Sequence, residues 1–130
     1  MPTSRRIAAA VAVPALAISA LAPLPAFASG GDDAHRNAGS CSGSTDWKIK
    51  AKADDGRIEV EAEIDSNQVG QTWAWKLKDN GVVVSKGSST TQGASGSFSV
   101  ERKPANAAGT DHFVFRAVYA GEVCRATVAW

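Results

Sequence analysis

The sequence predicts an all-β fold, an antiparallel immunoglobulin-like β-sandwich of about seven short strands. From residue 46 onward, apolar and polar residues alternate with a period of two, as in half-buried strands. Turn-forming Gly, Asn, Asp and Pro residues separate the alternating segments, and no segment has the apolar stripe of an amphipathic helix. A small open β-barrel is the alternative architecture.

Residues 1–28 are predicted to be a signal peptide. Arg5 and Arg6 precede an uncharged apolar run, and small residues occupy the positions that a signal peptidase reads, Ala26 and Ala28. A retained membrane anchor is the alternative, but the run is short for a bilayer and prolines interrupt it. Bulky apolar residues do not follow the arginine pair, which favours Sec export over the twin-arginine route. The mature protein is therefore expected to be secreted or associated with the cell envelope.

Residues 29–45 are predicted to be a flexible linker, because Gly, Ser and Asp dominate them without any hydrophobic period. The β-sandwich domain is expected over residues 46–130. Without the two arginines of the signal peptide, the chain has 12 basic and 13 acidic residues, a net charge of −1. Such a balance does not attract nucleic acid or anionic membranes globally, so any electrostatic function needs a local patch.

The first predicted element is a hairpin over residues 47–65, "WKIKAKADDGRIEVEAEID". With Asp55-Gly56 as a two-residue turn, Lys50 faces Glu61, and the neighbouring lysines face glutamates in the same way. The same register places the apolar residues of both strands together on the other face. We interpret the charged face as the solvated side of the sheet, with a ligand surface as the alternative.

The later segments continue the alternation. "QTWAWKLKD" and "VVVSKG" flank the strong hairpin signal Asn80-Gly81. "SGSFSVER", "HFVFRAVYA" and "VCRATVAW" follow as further strands. A turn at Gly121-Glu122 is expected to place Phe115 opposite Val128.

Cys41 and Cys124 are predicted to form a structural disulfide, because export delivers the chain to an oxidising compartment. The bridge would tie the N-terminal edge of the domain to its last strand. Two free thiols are the alternative, but neither cysteine has a redox or zinc spacing. Immunoglobulin domains instead link two central strands, so the topology is expected to differ in detail.

Four segments, "DDGRIEVEAEIDSNQVGQTWAWKLKDNG", "SGSFSV", "NAAGTD" and "GEVCRA", together resemble a group of small exported actinobacterial proteins. The resemblance covers residues 41–130. The group has no assigned activity, so the resemblance implies export and a β-fold and adds no site.

No catalytic constellation is evident in the predicted domain. Its one histidine, His112, follows Asp111 at the start of a strand, and there is no G-x-S-x-G motif. Zinc-ligand spacings, P-loops and dinucleotide fingerprints are absent from the sequence. We therefore predict a protein that is not an enzyme and that has no cofactor and no metal site. A small envelope hydrolase is kept as the last alternative.

Trp73 and Trp75 raise the possibility of carbohydrate binding, since two indoles on one strand face can stack on sugar rings. The competing interpretation places both in the core, because Lys76 and Lys78 need the opposite face of this strand for solvent.

The leading binding hypothesis is a cationic sheet face. If the strands that contain Trp73, Phe113 and Cys124 share one sheet, its outward residues include four cations, Lys76, Lys78, Arg116 and Arg125. Such a face is suited to docking an anionic envelope polymer or a protein partner, and a merely solvated face is the alternative. No nucleic acid partner and no membrane span after signal cleavage are expected, and the sequence leaves the oligomeric state open.

Overall fold

Alternating residues build eight β-strands and no helix within residues 33–130, the part of the chain that the computed structural model describes. The strands are β1 (His35–Ser40), β2 (Asp46–Asp54), β3 (Arg57–Asp65), β4 (Thr72–Asp79), β5 (Val82–Thr90), β6 (Ser97–Arg102), β7 (His112–Tyr119) and β8 (Glu122–Ala129). The predicted signal peptide lies outside the described residues. Over residues 33–130, no helix is long and apolar enough to cross a membrane.

The strands form two four-stranded antiparallel sheets, which confirms the predicted β-sandwich. Sheet A has the order β1-β2-β3-β6, and sheet B has the order β5-β4-β7-β8. With β1 set aside, the chain passes between the sheets after β3, β5 and β6, as in immunoglobulin-like sandwiches. The expectation that β4, β7 and β8 share one sheet is confirmed.

The core lies between the sheets and is built by alternate residues of every strand except β1 and β5. Its largest fully buried side chains are Trp73, Phe113 and Phe115. The ring of Trp75 stacks on Phe115 with centroids 5.3 Å apart. Burial of each such side chain contributes about 1.5–3 kcal/mol to folding.

The predicted register of the β2–β3 hairpin is confirmed. Lys50 pairs with Glu61 and Trp47 with Ile64. Asp55 has a positive φ of 52°, and Gly56 follows with 81°, as a two-residue hairpin turn requires.

The predicted register of the β7–β8 hairpin is wrong by two residues. Its turn is formed by Ala120 and Gly121, with φ angles of 47° and 85°, one residue earlier than predicted. As a result Phe113, instead of Phe115, lies opposite Val128. A shift of two residues leaves every side chain on the same face, so the apolar pattern does not distinguish the two registers.

The prediction of a flexible linker over residues 29–45 is corrected by a strand within it. His35–Ser40 form β1, which pairs antiparallel with β2. The side chains of His35 and Asn37 also donate hydrogen bonds, of 2.8 and 2.9 Å, to carbonyl oxygens of β8. These bonds cap part of the outer edge of β8, which has no neighbouring strand in its own sheet. The linker residues before 33 lie outside the described residues.

The predicted disulfide between Cys41 and Cys124 is confirmed, with a Cα–Cα distance of 4.3 Å. It joins the loop after β1, in sheet A, to β8, in sheet B. Beside it, Glu122 Oε2 accepts hydrogen bonds from the backbone N–H groups of Gly43 (3.1 Å) and Thr45 (3.0 Å). Covalent and hydrogen bonds therefore fix the same loop to the second sheet.

Candidate functional site

Four cations lie in one row across the outer face of sheet B, one from each strand. Lys76 lies opposite Lys86 on one side and Arg116 on the other. Arg116 in turn lies opposite Arg125. Adjacent strands are about 4.8 Å apart, so this cationic row is about 14 Å long. Lys78 lies one outward position further along β4 and adjoins the row.

Among residues 33–130, no acidic residue lies on the face that surrounds the cationic row. The strands of sheet B contain only two acids, of which Asp79 is buried and Glu122 bonds the loop beside the disulfide. Within residues 33–130, no side chain of the row forms an ion pair or a hydrogen bond, and neither does that of Lys78. The cations are therefore not neutralised by the rest of the described domain.

Two shallow concavities run along the row. The first, of about 640 Å³, includes Lys76 and Lys86, and the second, of about 540 Å³, includes Arg125. Both include Lys78 and Arg116, so they adjoin at the centre of the sheet. The two concavities together form a trough, and half-buried valines of β7 contribute apolar surface to it.

The outer face of sheet A is different, because its charges alternate in sign. The Lys50 ammonium lies 3.4 Å from a Glu61 carboxylate oxygen, and the neighbouring lysines of β2 lie opposite glutamates of β3 in the strand register. A concavity of about 770 Å³ on this face is lined by residues of both signs. A hydrogen bond with Glu59, and then its charge, raise the pKa of Glu101. Acids are thus crowded on one face of the sandwich and missing from the other.

Lys86 is the member of the cationic row that sequence reasoning missed. An undisturbed hairpin around Asn80-Gly81 would pair Lys86 with Trp75 and point its charge into the core. A β-bulge shifts the register by one residue between Leu77 and Lys78, so that Lys86 faces outward. The signal was available, since a lysine facing buried tryptophans is costly and predicts such a bulge.

Trp73 and Trp75 lie in the core, with 0% and 4% of their surface exposed. Trp75 is covered by the guanidinium of Arg102, which lies 5.0 Å from the ring centroid. Gly87 lies opposite Trp75 and leaves room for its indole, because an added Cβ would lie 3.0 Å from Trp75 Cζ2. Neither indole offers a free ring face, which the carbohydrate-binding alternative needs.

A pair of buried carboxyls, Asp79 and Asp111, lies at one end of sheet B. Asp79 is 8% exposed and Asp111 is fully buried, and each has one buried oxygen without a donor in the described structure. The other oxygen of Asp111 accepts a hydrogen bond from the backbone of Ala107 at 3.3 Å. Burial, followed by the hydrogen bond and charge of Asp111, raises the pKa of Asp79 to about 6.

His112 does not form a catalytic pair with its neighbour. Its side chain is exposed while the Asp111 side chain is buried beside Asp79, so the two point to different environments. The His112 backbone N–H donates to Asn80 Oδ1 at 2.9 Å, which ties the start of β7 to the turn between β4 and β5. Over the described part of the chain, no three His, Cys, Asp or Glu side chains gather as metal ligands would.

The geometry thus brings together all four cations of the leading hypothesis and adds Lys86 to them. It places the two tryptophans elsewhere. The resemblance to small exported actinobacterial proteins stays a prediction. Comparison of the chain with models of known protein families, with curated proteins and with solved structures finds no match.

Proposed function

We propose that the protein is a secreted, non-catalytic binding module that docks on an anionic polymer of the cell envelope through its cationic row. The observation that supports this most is the direct opposition of four cations on a face without acids. Like charges opposite one another destabilise a sheet by a few tenths of a kcal/mol or more per pair. An anionic ligand removes that cost when it binds, so the repulsion between the cations favours binding.

The net charge of the mature protein limits the distance over which the cationic row attracts a ligand. With a net charge of −1 after signal removal, the mature protein has no long-range attraction for anions. At physiological salt, charges are screened beyond about 8 Å, so the row acts on a ligand only near contact. The partly apolar trough along the row supplies contact area for a ligand that has already arrived.

In the proposed module neither histidine acts as a catalytic base. The imidazole of His35 hydrogen-bonds a carbonyl of β8, and His112 lies at the start of β7 beside the turn that contains Asn80. The disulfide and the predicted signal peptide support export.

The test is co-sedimentation of the mature protein, residues 29–130, with isolated bacterial cell envelopes at low salt. Arg116→Gln combined with Arg125→Gln removes two charges from the row. We expect this variant to bind about tenfold more weakly, equivalent to about 1.4 kcal/mol, and the wild-type protein to be released by added salt.

The matched control is Lys48→Gln combined with Lys52→Gln, which removes two charges from the outer face of sheet A. It should bind envelopes as the wild-type protein does. Equal binding by the row variant and the control, both folded by circular dichroism, would falsify the proposal.

A further inference from the structure

We infer that the ligand of the cationic row is a linear polyanion, of the class of phosphodiester and polyphosphate chains, lying across the four strands of sheet B. This inference rests on the proposed function and adds the shape and direction of the ligand.

The shape follows from the arrangement of the charges. The cations of the row come from directly opposed positions on four adjacent strands, so they form a line perpendicular to the strands. The line is about 14 Å long, since adjacent strands are about 4.8 Å apart. A compact anion placed anywhere on this line reaches only some of the four cations. A chain whose charges repeat along an extended backbone reaches all of them at once.

The outward residues on either side of the cationic row also favour a ligand that lies across the strands. Towards one side the outward residues are Ser88, Ala74, Val118 and Val123, and towards the other they are Val83, Lys78, Val114 and Thr127. Five of these eight residues are apolar and only Lys78 is charged, so positive potential is concentrated along the row. The two concavities, which adjoin at Lys78 and Arg116, follow the row across the sheet. The trough and the line of charge therefore have the same direction.

The residue types fit phosphate. Arg116 and Arg125 present planar guanidinium groups that bind phosphate oxygens in a bidentate manner, whereas Lys76 and Lys86 act as point charges. The half of the row formed by β7 and β8 is therefore expected to fix the orientation of phosphate groups. The half formed by β4 and β5 adds attraction with little orientation.

The deciding experiment compares two ligands of the same chemistry and different shape. Binding of the mature protein is measured calorimetrically with linear polyphosphate long enough to span the row and with compact inositol hexakisphosphate, over a range of salt concentrations. We expect the linear chain to bind at least about tenfold more tightly. Its affinity should fall with salt with a slope close to four released counterions, and that of the compact ligand with a smaller slope.

Variants separate the inference from the proposed function. Lys86→Gln combined with Arg125→Gln removes both ends of the row and should abolish the preference for the linear ligand, while the Lys48→Gln and Lys52→Gln control keeps it. Equal affinities and equal salt slopes for the two ligands in the wild-type protein would overturn the linear ligand and leave anion docking intact. If the variant with Lys86→Gln and Arg125→Gln binds both ligands as the control does, both the inference and the proposed function are wrong.

Discussion

At the scale of single residues, the buried carboxyls of Asp79 and Asp111 give the domain a built-in response to pH. The raised pKa of Asp79, about 6, means that the folded state holds a proton that the unfolded chain, with the ordinary value of 3.8, has released. Between these two values the folded state therefore binds more protons than the unfolded state. This contribution to stability is complete below pH 3.8 and is lost as the pH rises through about 6.

The change Asp79→Asn is expected to remove this pH dependence. An amide keeps the shape of the side chain, carries no charge at any pH, and can donate a hydrogen bond to Asp111. The free energy of unfolding at pH 7.5 should therefore rise by about 1–3 kcal/mol, and its decrease between pH 5 and 7 should flatten. Urea denaturation across this pH range measures both effects.

The control is the same chemical change at Asp46, which is exposed. Asp46→Asn should leave the difference in stability between pH 5 and pH 7.5 as it is in the wild-type protein. A wild-type protein whose stability does not change over this range would contradict the raised pKa of Asp79.

The backbone conformation of Ala120 lowers the free energy of unfolding by a measurable amount. It has a φ of 47° in the turn between β7 and β8, a left-handed conformation that costs an alanine about 1 kcal/mol. Asn80 has the equivalent position in the turn between β4 and β5, with a φ of 52°. The change Ala120→Asn is therefore expected to raise the free energy of unfolding by about 0.5–1 kcal/mol.

The reverse change at a comparable turn provides the control for Ala120. Asp55 is exposed and has a φ of 52°, so Asp55→Ala should lower the free energy of unfolding by a similar amount. Thermal and chemical denaturation of the two variants measure the effects, and a change of the same sign in both would rule out the turn conformation as the cause.

The environment of a single residue is predictable from the sequence where two requirements must be met together. Trp73 and Trp75 lie in the core because the lysines on the opposite face of β4 need solvent. The regular hairpin register does not place Lys86 on the outer face; the bulge that does so follows only when the cost of burying a lysine is weighed against that register. The close approach of Asp79 and Asp111 does not follow from the sequence, because Asp79 ends β4, Asp111 directly precedes β7, and no local pattern relates them.

At the scale of elements, the two predicted hairpin registers had different outcomes for a physical reason. In β2 and β3 both faces constrain the register, since lysines must meet glutamates on one face while apolar residues meet on the other. In β7 and β8 only the apolar face constrains it, and the turn at Ala120 uses a residue that sequence patterns do not associate with positive φ. Strand β1 was not predicted, because its six polar and small residues have no apolar alternation.

The cationic row has an energetic consequence within sheet B that is independent of any ligand. Lys76 lies between two other cations, so its charge is repelled from both sides. The change Lys76→Gln is expected to raise the free energy of unfolding by about 0.5 kcal/mol at low salt, while weakening binding to anions.

Salt provides the check on this prediction for Lys76. The gain in stability should shrink as salt screens the repulsion, and denaturation at low and high ionic strength measures it. Loss of stability in the variant at both salt concentrations would show that the lysine stem contributes more by packing than its charge costs.

At the scale of the whole molecule, the sandwich has two outer faces of different character. The outer face of sheet A carries charges of both signs, and the outer face of sheet B carries only cations. A linear pattern of charge along the chain does not reveal this difference, because the five cations of sheet B come from four strands in three regions of the sequence. The fold class and the sharing of β4, β7 and β8 were predictable from periodicity, and the complete row required the order of all four strands.

The disulfide is expected to dominate the stability of the domain. It closes a loop with a sequence separation of 83 residues, which in the chain-entropy model stabilises the folded state by about 4–5 kcal/mol. Cys41→Ala combined with Cys124→Ala should lower the free energy of unfolding by a comparable amount, measured by chemical denaturation of the oxidised protein and the variant. A loss below about 1 kcal/mol would indicate that the hydrogen bonds of Glu122 hold the loop without the bridge.

The position of the same disulfide also determines how the protein responds to mechanical force. Residues 41 and 124 lie near the two ends of the domain, so almost every strand is enclosed in a covalent ring. When the segments outside this ring are pulled apart, the tension passes through the sulfur atoms and bypasses the strands from β2 to β7. The domain should then lengthen very little, whereas reduction should release about 290 Å of additional chain from the enclosed 83-residue span. β1 and the part of β8 after Cys124 lie outside the ring, so only these segments can lengthen under load while the bridge is intact.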